Sequence, residues 1–191
     1  MKAILMSIRP EWVAKILNGE KTIEIRKKFP SDYVGWVYIY CTKKDSLGRI
    51  KELPHDRYFV DCVETPEDFE KMDSGYDGKG KVVARFWCDK VEEIKDSLCE
   101  DIFDYAIHPK QCVEKWQRIY KESCLTEIEL SNYLKAKNGY AIHITKVEPF
   151  DKPKEIKEFS KKEFDSFITG QIEHYKCSLT RVPQSWCYIE V

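Results

Sequence analysis

Apolar and polar positions alternate along this chain in patterns that change period several times. Ala3 to Ile8 is a short apolar run that suits a buried strand. Pro10 then fits the first turn of a helix, where its missing N–H costs nothing. Trp12, Val13, Ile16 and Leu17 recur at helical spacing, and Asn18-Gly19 supplies the stop. The period then switches to two, with Thr22, Glu24 and Arg26 on one face and Ile23 and Ile25 on the other. This predicts a half-buried strand whose polar row looks outward or into a cleft. Val34 to Thr42, rich in aromatic and β-branched residues, predicts a second strand.

Residues 43–80 are broken by Leu47-Gly48, Leu53-Pro54, Thr65-Pro66 and the glycines at 75, 78 and 80, and form an insertion-like region. The glycine spacing fits neither phosphate-loop pattern, so a turn is the expectation. Lys81 to Val91 predicts a strand. Glu92–Asp104 holds six acidic residues against one lysine, as expected of a solvated loop and helix surface. Thr126-Glu127-Ile128-Glu129 has the spacing of a capping box and predicts a helix to about Lys135. Asn138-Gly139 ends it before a strand from Tyr140 to Val147. Residues 151–165, with five basic and five acidic side chains, predict an exposed strand-and-helix surface, and a last strand runs from Trp186 to Val191. Without an internal repeat, a linker-like tract or regular βαβ alternation, the expectation is one α+β domain over residues 1–191, around a small closed sheet.

Composition narrows the function classes. The chain has 191 residues, 42% of them hydrophobic and 13% aromatic, enough for an ordinary core and too many for a disordered chain. Its 32 basic and 33 acidic side chains leave a net charge of −1, which argues against gripping nucleic acid through bulk positive charge. Eight cysteines are scattered with no C-x-x-C pair, and several (Cys41, Cys88, Cys187) sit in apolar runs as small hydrophobes. No metal site and no cofactor is expected. The first residues lack the pattern of a secretory signal, and the longest later apolar run, Trp36 to Cys41, is far below a membrane span. A cytoplasmic location is the expectation.

The densest polar feature is Gly19 to Lys28. The first 28 residues carry seven basic and three acidic side chains, net +4 against −1 overall. Alternation puts Glu24 and Arg26 on one strand face, with Lys21 entering from the turn. Arg26 can pair bidentately with a phosphate or with Glu24 itself, and a plain Glu–Arg pair on a sheet surface is the commoner outcome of this pattern. His143, mid-strand among apolar residues, is expected to be a satisfied core or cleft histidine. His55, His108 and His174 have no metal-ligand spacing. Ser185 lies in no nucleophile elbow, and Trp186 at a strand start suits core packing better than base stacking.

Three stretches together, Ser7-Ile8-Arg9-Pro10, Ile16-Leu17-Asn18-Gly19-Glu20-Lys21 and Ile23-Glu24-Ile25-Arg26-Lys27-Lys28, resemble the opening of ASCH-domain proteins. Gly80–Phe86, Gly139–Ile144 and Pro183–Tyr188 add to the likeness, so it runs from about residue 4 to residue 189. The resemblance implies a PUA-like small β-barrel with flanking helices that binds RNA or a modified nucleotide in a cleft. Lys21, Glu24 and Arg26 would line that cleft, with Gln184, Ser185 and Trp186 on its rim. Longer members of this type often occur among phage and prophage proteins. One branch hydrolyses N4-acetylcytidine with a Lys and a Thr from this strand; Lys21 matches the lysine, whereas Glu24 stands at the threonine position. Were this chain an enzyme, an amidohydrolase or ribonuclease, Lys21 and Glu24 would be its catalytic pair. The alternatives to nucleotide binding are therefore such a hydrolase, or a protein-interaction module using segments 92–104 and 151–165.

Overall fold

The computed structural model describes residues 2–43, 80–94, 109–135, 137–168 and 171–191. Among the described residues ten strands fall into two sheets, with three α-helices and one short 3-10 turn, giving an α+β fold. The strands are β1 (Lys2–Ile8), β2 (Ile23–Arg26), β3 (Gly35–Cys41), β4 (Lys81–Cys88) and β5 (Val91–Ile94), then β6 (Gly139–His143), β7 (Thr145–Lys154), β8 (Ser160–Ile168), β9 (Gln171–Ser178) and β10 (Trp186–Glu190). The helices are α1 (Pro10–Leu17), α2 (Pro109–Ser123) and α3 (Glu127–Leu134).

The larger sheet has the order β7-β4-β3-β1-β10-β8-β9 and the smaller one β2-β6-β5. β1 runs parallel to β3 and antiparallel to β10. Being central, β1 is covered on both faces, which explains its apolar run from Ala3 to Met6. Ile4, Met6 and Ile8 enter one core with Val37, Ile39 and Phe86, while Ala3 and Leu5 enter a second with Tyr38, Phe159 and Ile189. The first core also takes in Ile142 and Ile144, so the two sheets share it. On its far side the small sheet gives Ile23, Ile25 and Ala141 to a third core, closed by Ile119 of α2 and Leu130 and Leu134 of α3.

Four expectations change. Among the described residues the strands form two sheets rather than one closed ladder. The strand expected over 81–91 stops at Cys88, and the chain crosses at Asp89-Lys90 to begin β5 in the other sheet. Glu92 is consequently not a solvated loop residue: its side chain is 13% exposed and sits in an ion-pair network. The strand expected over 140–147 is likewise two strands, β6 pairing with β2 and β5 and β7 with β4. Most of the insertion-like region 43–80 and residues 95–104 lie outside the described residues. No helix among those described is long and apolar enough to cross a membrane.

Candidate functional site

The site begins with the exit from α1. Asn18 caps the helix, and Gly19 adopts φ +75°, the left-handed conformation that glycine takes without strain. The backbone N–H groups of Glu20 and Lys21 both turn back to the Lys15 carbonyl. This tight wrap brings Lys21 beneath the helix before β2 starts at Ile23. Thr22 therefore stands outside the strand alternation, with an exposed side chain. From Ile23 on the period-two rule holds: Ile23 and Ile25 face the helices, Glu24 and Arg26 the other side.

Lys21, Glu24 and Arg26 are all buried, at 2%, 7% and 9% exposure, and form one ion triad. Glu24 is central, with Oε2 at 3.4 Å from Lys21 Nζ and Oε1 at 3.0 Å from Arg26 Nη2. The Glu–Arg pair that the pattern suggests thus exists, but in the interior and with a lysine added. Lys21 Nζ also donates to the Ser123 carbonyl at 2.6 Å and lies 4.9 Å from the centre of the Trp12 ring. Burial lowers the pKa of the Lys21 ammonium from its ordinary value, outweighing the opposing pull of Glu24.

Arg26 ties the triad to the rest of the fold. Its Nη2 donates to the Ser7 carbonyl at 2.7 Å and its Nη1 approaches Ser185 Oγ at 3.5 Å. Ser7 holds the segment before β10 in return: its N–H donates to the Ser185 carbonyl at 2.9 Å and its hydroxyl to the Pro183 carbonyl at 2.6 Å. Two segments 159 residues apart in sequence therefore meet at one guanidinium.

Above the triad opens a cleft of about 420 Å³, a size suited to a small organic ligand. Lys21, Glu24 and Arg26 lie along it with Gln184 and Ser185. Trp186, expected on the rim, is not among the lining residues. Its indole N–H donates to the Lys28 carbonyl at 2.6 Å, and its ring makes edge contacts with Phe29 and Tyr188. Arg9, Trp12, Leu125 and Tyr133 line the cleft as well. Sequence reasoning missed these four. Arg9 and Trp12 adjoin the N-terminal motif and were within reach of it; Leu125 and Tyr133 arrive from α3 and its approach, which no local pattern aims at the cleft.

His143 lies away from the cleft. Its Nε2 is 2.8 Å from Glu92 Oε1, and the same carboxylate receives Lys90 at 2.8 Å and Arg118 Nη2 at 3.0 and 2.7 Å. Burial alone would raise the Glu92 pKa, but these donors bring it down to about 2. This network clasps α2 to the small sheet. Among the described residues no group of three His, Cys, Asp or Glu side chains could hold a metal ion.

The fold has solved counterparts. A serine-to-alanine variant of ZmASCH, from Zymomonas mobilis, superposes with a TM-score of 0.50 at 13% identity, covering 98% of this chain and 88% of that one. The structure described as ASCH from Zymomonas mobilis gives 0.47 at 15% identity, over 81% and 73% of the two chains. No protein-family model and no curated protein sequence matches the chain. The chain therefore has an ASCH-like fold, and at such identities the likeness concerns fold alone.

Proposed function

We propose that this protein binds RNA or a modified nucleotide in the cleft above Lys21, Glu24 and Arg26, with Gln184 and Ser185 on its edge. The observation that carries the reading is the buried triad itself: two cations and one carboxylate at the base of an open, partly aromatic cleft. Burying three charges is costly unless they are used or fully paired, and this triad keeps a surplus of positive charge. Guanidinium and ammonium groups suit phosphate, while the carboxylate suits a base amino group or ribose hydroxyl. The excess of basic residues in the first 28 positions supports an anionic partner, and the balanced net charge supports a small or weakly held one. In this reading the two sheets sharing the Ile4–Ile142 core are an opened PUA-like barrel, and the ligand is met in the cytoplasm.

The test is fluorescence anisotropy with a short single-stranded RNA, a hairpin RNA and matching DNA at two salt concentrations. Saturable, salt-sensitive RNA binding that falls in Lys21→Ala and Arg26→Ala, each checked by circular dichroism, supports the reading. A flat response on every strand, with no binding of any nucleotide, rejects it.

One observation favours a second reading, hydrolysis of an acylated nucleoside or of RNA. Lys21 has a lowered pKa and stands 3.4 Å from a carboxylate, the setting in which a lysine serves as a base. The test is turnover of N4-acetylcytidine followed by mass spectrometry. Release of acetate that persists in both Lys21→Ala and Glu24→Ala removes this pair from the chemistry.

A further inference from the structure

The residues along the cleft are not alike in chemistry. Glu24, Arg26, Gln184 and Ser185, from β2 and the segment before β10, are polar, whereas Trp12, Leu125 and Tyr133 come from α1 and from α3 and its approach. The two aromatic rings differ in what already lies on them. Trp12 has Lys21 Nζ at 4.9 Å and Lys15 Nζ at 5.3 Å from its ring centre, and Lys21 itself lies along the cleft. Tyr133 has Lys27 Nζ at 5.1 Å, but Lys27 is not a lining residue, so its ammonium braces the ring from outside the cleft. Of the exposed large hydrophobic side chains among the described residues, Tyr133, at 38% exposure, alone lines the cleft. α3 gives it a firm base. A capping box joins Thr126 and Glu129 in the first turn, and Leu130 and Leu134 are buried in the third core. A tyrosine beside such an anchor has two side-chain torsions and little freedom to lose when a ligand arrives.

We propose that Tyr133 is the stacking residue of the cleft and that the occupant is a single unpaired base lying against its ring. The proposal rests on the nucleotide-binding reading and adds which part of the nucleotide is gripped. A base within a duplex has both faces covered by its neighbours, and only an unstacked one offers a face to a protein ring. The cavity, about 420 Å³, is on the scale of one small ligand. Stacking tolerates any base, while Gln184 and Ser185 along the same cleft carry amide and hydroxyl groups that can hydrogen-bond a base edge.

The experiment titrates the full chain into 2-aminopurine, a fluorescent base whose emission falls on stacking. It is presented as the riboside, within a short single-stranded RNA, and in the same strand annealed to its complement. The single strand is expected to bind with quenching, and the duplex to bind about tenfold more weakly or worse. Tyr133→Ala should weaken single-strand binding about tenfold and abolish the quenching, whereas Tyr133→Phe, which keeps the ring, stays within about twofold of wild type. Melting curves confirm that both variants are folded. Quenching of the riboside that is lost in Tyr133→Ala and kept in Tyr133→Phe upholds the stack equally and assigns it to a free nucleoside. Full affinity and quenching in Tyr133→Ala, or a duplex bound as tightly as the single strand, overturns the stack while leaving the cleft reading intact. No binding of any of these probes overturns both.

Discussion

Lys21 Nζ lies 2.6 Å from the carbonyl oxygen of Ser123, the last residue of α2. That oxygen is free because Cys124 adopts φ 55° and the Leu125 N–H returns to the Tyr120 carbonyl, closing the helix end with a left-handed cap. The negative end of the α2 dipole therefore meets the ammonium group inside the protein. Lys21→Met is expected to cost about 2 kcal/mol at neutral pH, since it leaves this carbonyl and one oxygen of Glu24 without their donor. The pH dependence has a definite sign. The folded-state pKa of Lys21 is below its ordinary value of 10.5, so the unfolded chain binds more protons between the two values. Stability rises with pH across that alkaline window. Urea unfolding of the wild type and Lys21→Met from pH 7 to pH 10 should show the wild type gaining on the variant; a constant difference would count against a desolvated lysine.

Glu24 faces two cations, and removing it leaves them facing each other. Glu24→Gln is expected to destabilise by about 3 kcal/mol, the scale for breaking a buried ion pair. A double-mutant cycle with Arg26→Gln should return a coupling energy of about 1–3 kcal/mol, because the two groups are 3.0 Å apart and share one network. Additive effects in chemical denaturation would mean that the pair is not energetically linked.

Glu92 is an acid-sensitive point of the fold. Its pKa is held near 2 by Lys90, Arg118 and His143, below the ordinary 4.5. A carboxylate with a depressed folded-state pKa contributes stability above its unfolded value and loses it as pH falls through the folded one. The contribution, about 2 kcal/mol once solvent screening is allowed for, should fade between pH 4.5 and pH 2, and Glu92→Gln should remove it at neutral pH while changing little near pH 2. Acid titration of both proteins, followed by tryptophan fluorescence, measures the difference.

Local rules carried the sequence a long way in the N-terminal half. α1 was legible because proline, the 3.6-residue apolar stripe and Asn18-Gly19 agree, and β1 and β3 because apolar runs of that length admit few other readings. The polar face of β2 was legible from Glu24 and Arg26 alone. Its depth was not: alternation says which side a residue faces, while burial depends on Ser7, Ser123 and Ser185, which come from distant segments. The same holds for α2, whose exposed positions dilute its apolar stripe, and for Glu92, whose acidic neighbours suggested a solvated run. Sheet membership was hidden throughout. Nothing within residues 88–91 marks the step from the large sheet to the small one.

Gly139 fixes how closely α3 approaches the small sheet. A Cβ at this position would stand 2.5 Å from Leu134 Cδ2 and 3.3 Å from the Arg26 backbone carbonyl. Leu134 is 1% exposed and packed into the third core. Gly139→Ala is expected to cost about 1–3 kcal/mol through overpacking. The cost should shrink in a Leu134→Val background, which clears the nearer atom. An equal cost in both backgrounds would place the strain on the Arg26 backbone instead.

Gln184 and Trp186 are two residues apart, yet they do different work. Gln184 is exposed and lines the cleft, whereas Trp186 donates its indole N–H to the Lys28 carbonyl at 2.6 Å and packs edge-on against Phe29. Trp186 thereby pins the chain leaving β2 to the start of β10, and with it the strand that carries Arg26. Trp186→Phe keeps much of the ring packing and loses the hydrogen bond, so it should lower stability by about 1 kcal/mol and leave ligand affinity within twofold. Gln184→Ala should do the reverse, weakening RNA or nucleotide binding several-fold with an unchanged melting temperature. Melting curves and anisotropy on the same two preparations separate the roles. A Trp186→Phe variant that melts normally but loses binding would move the ligand out of the cleft and onto the indole.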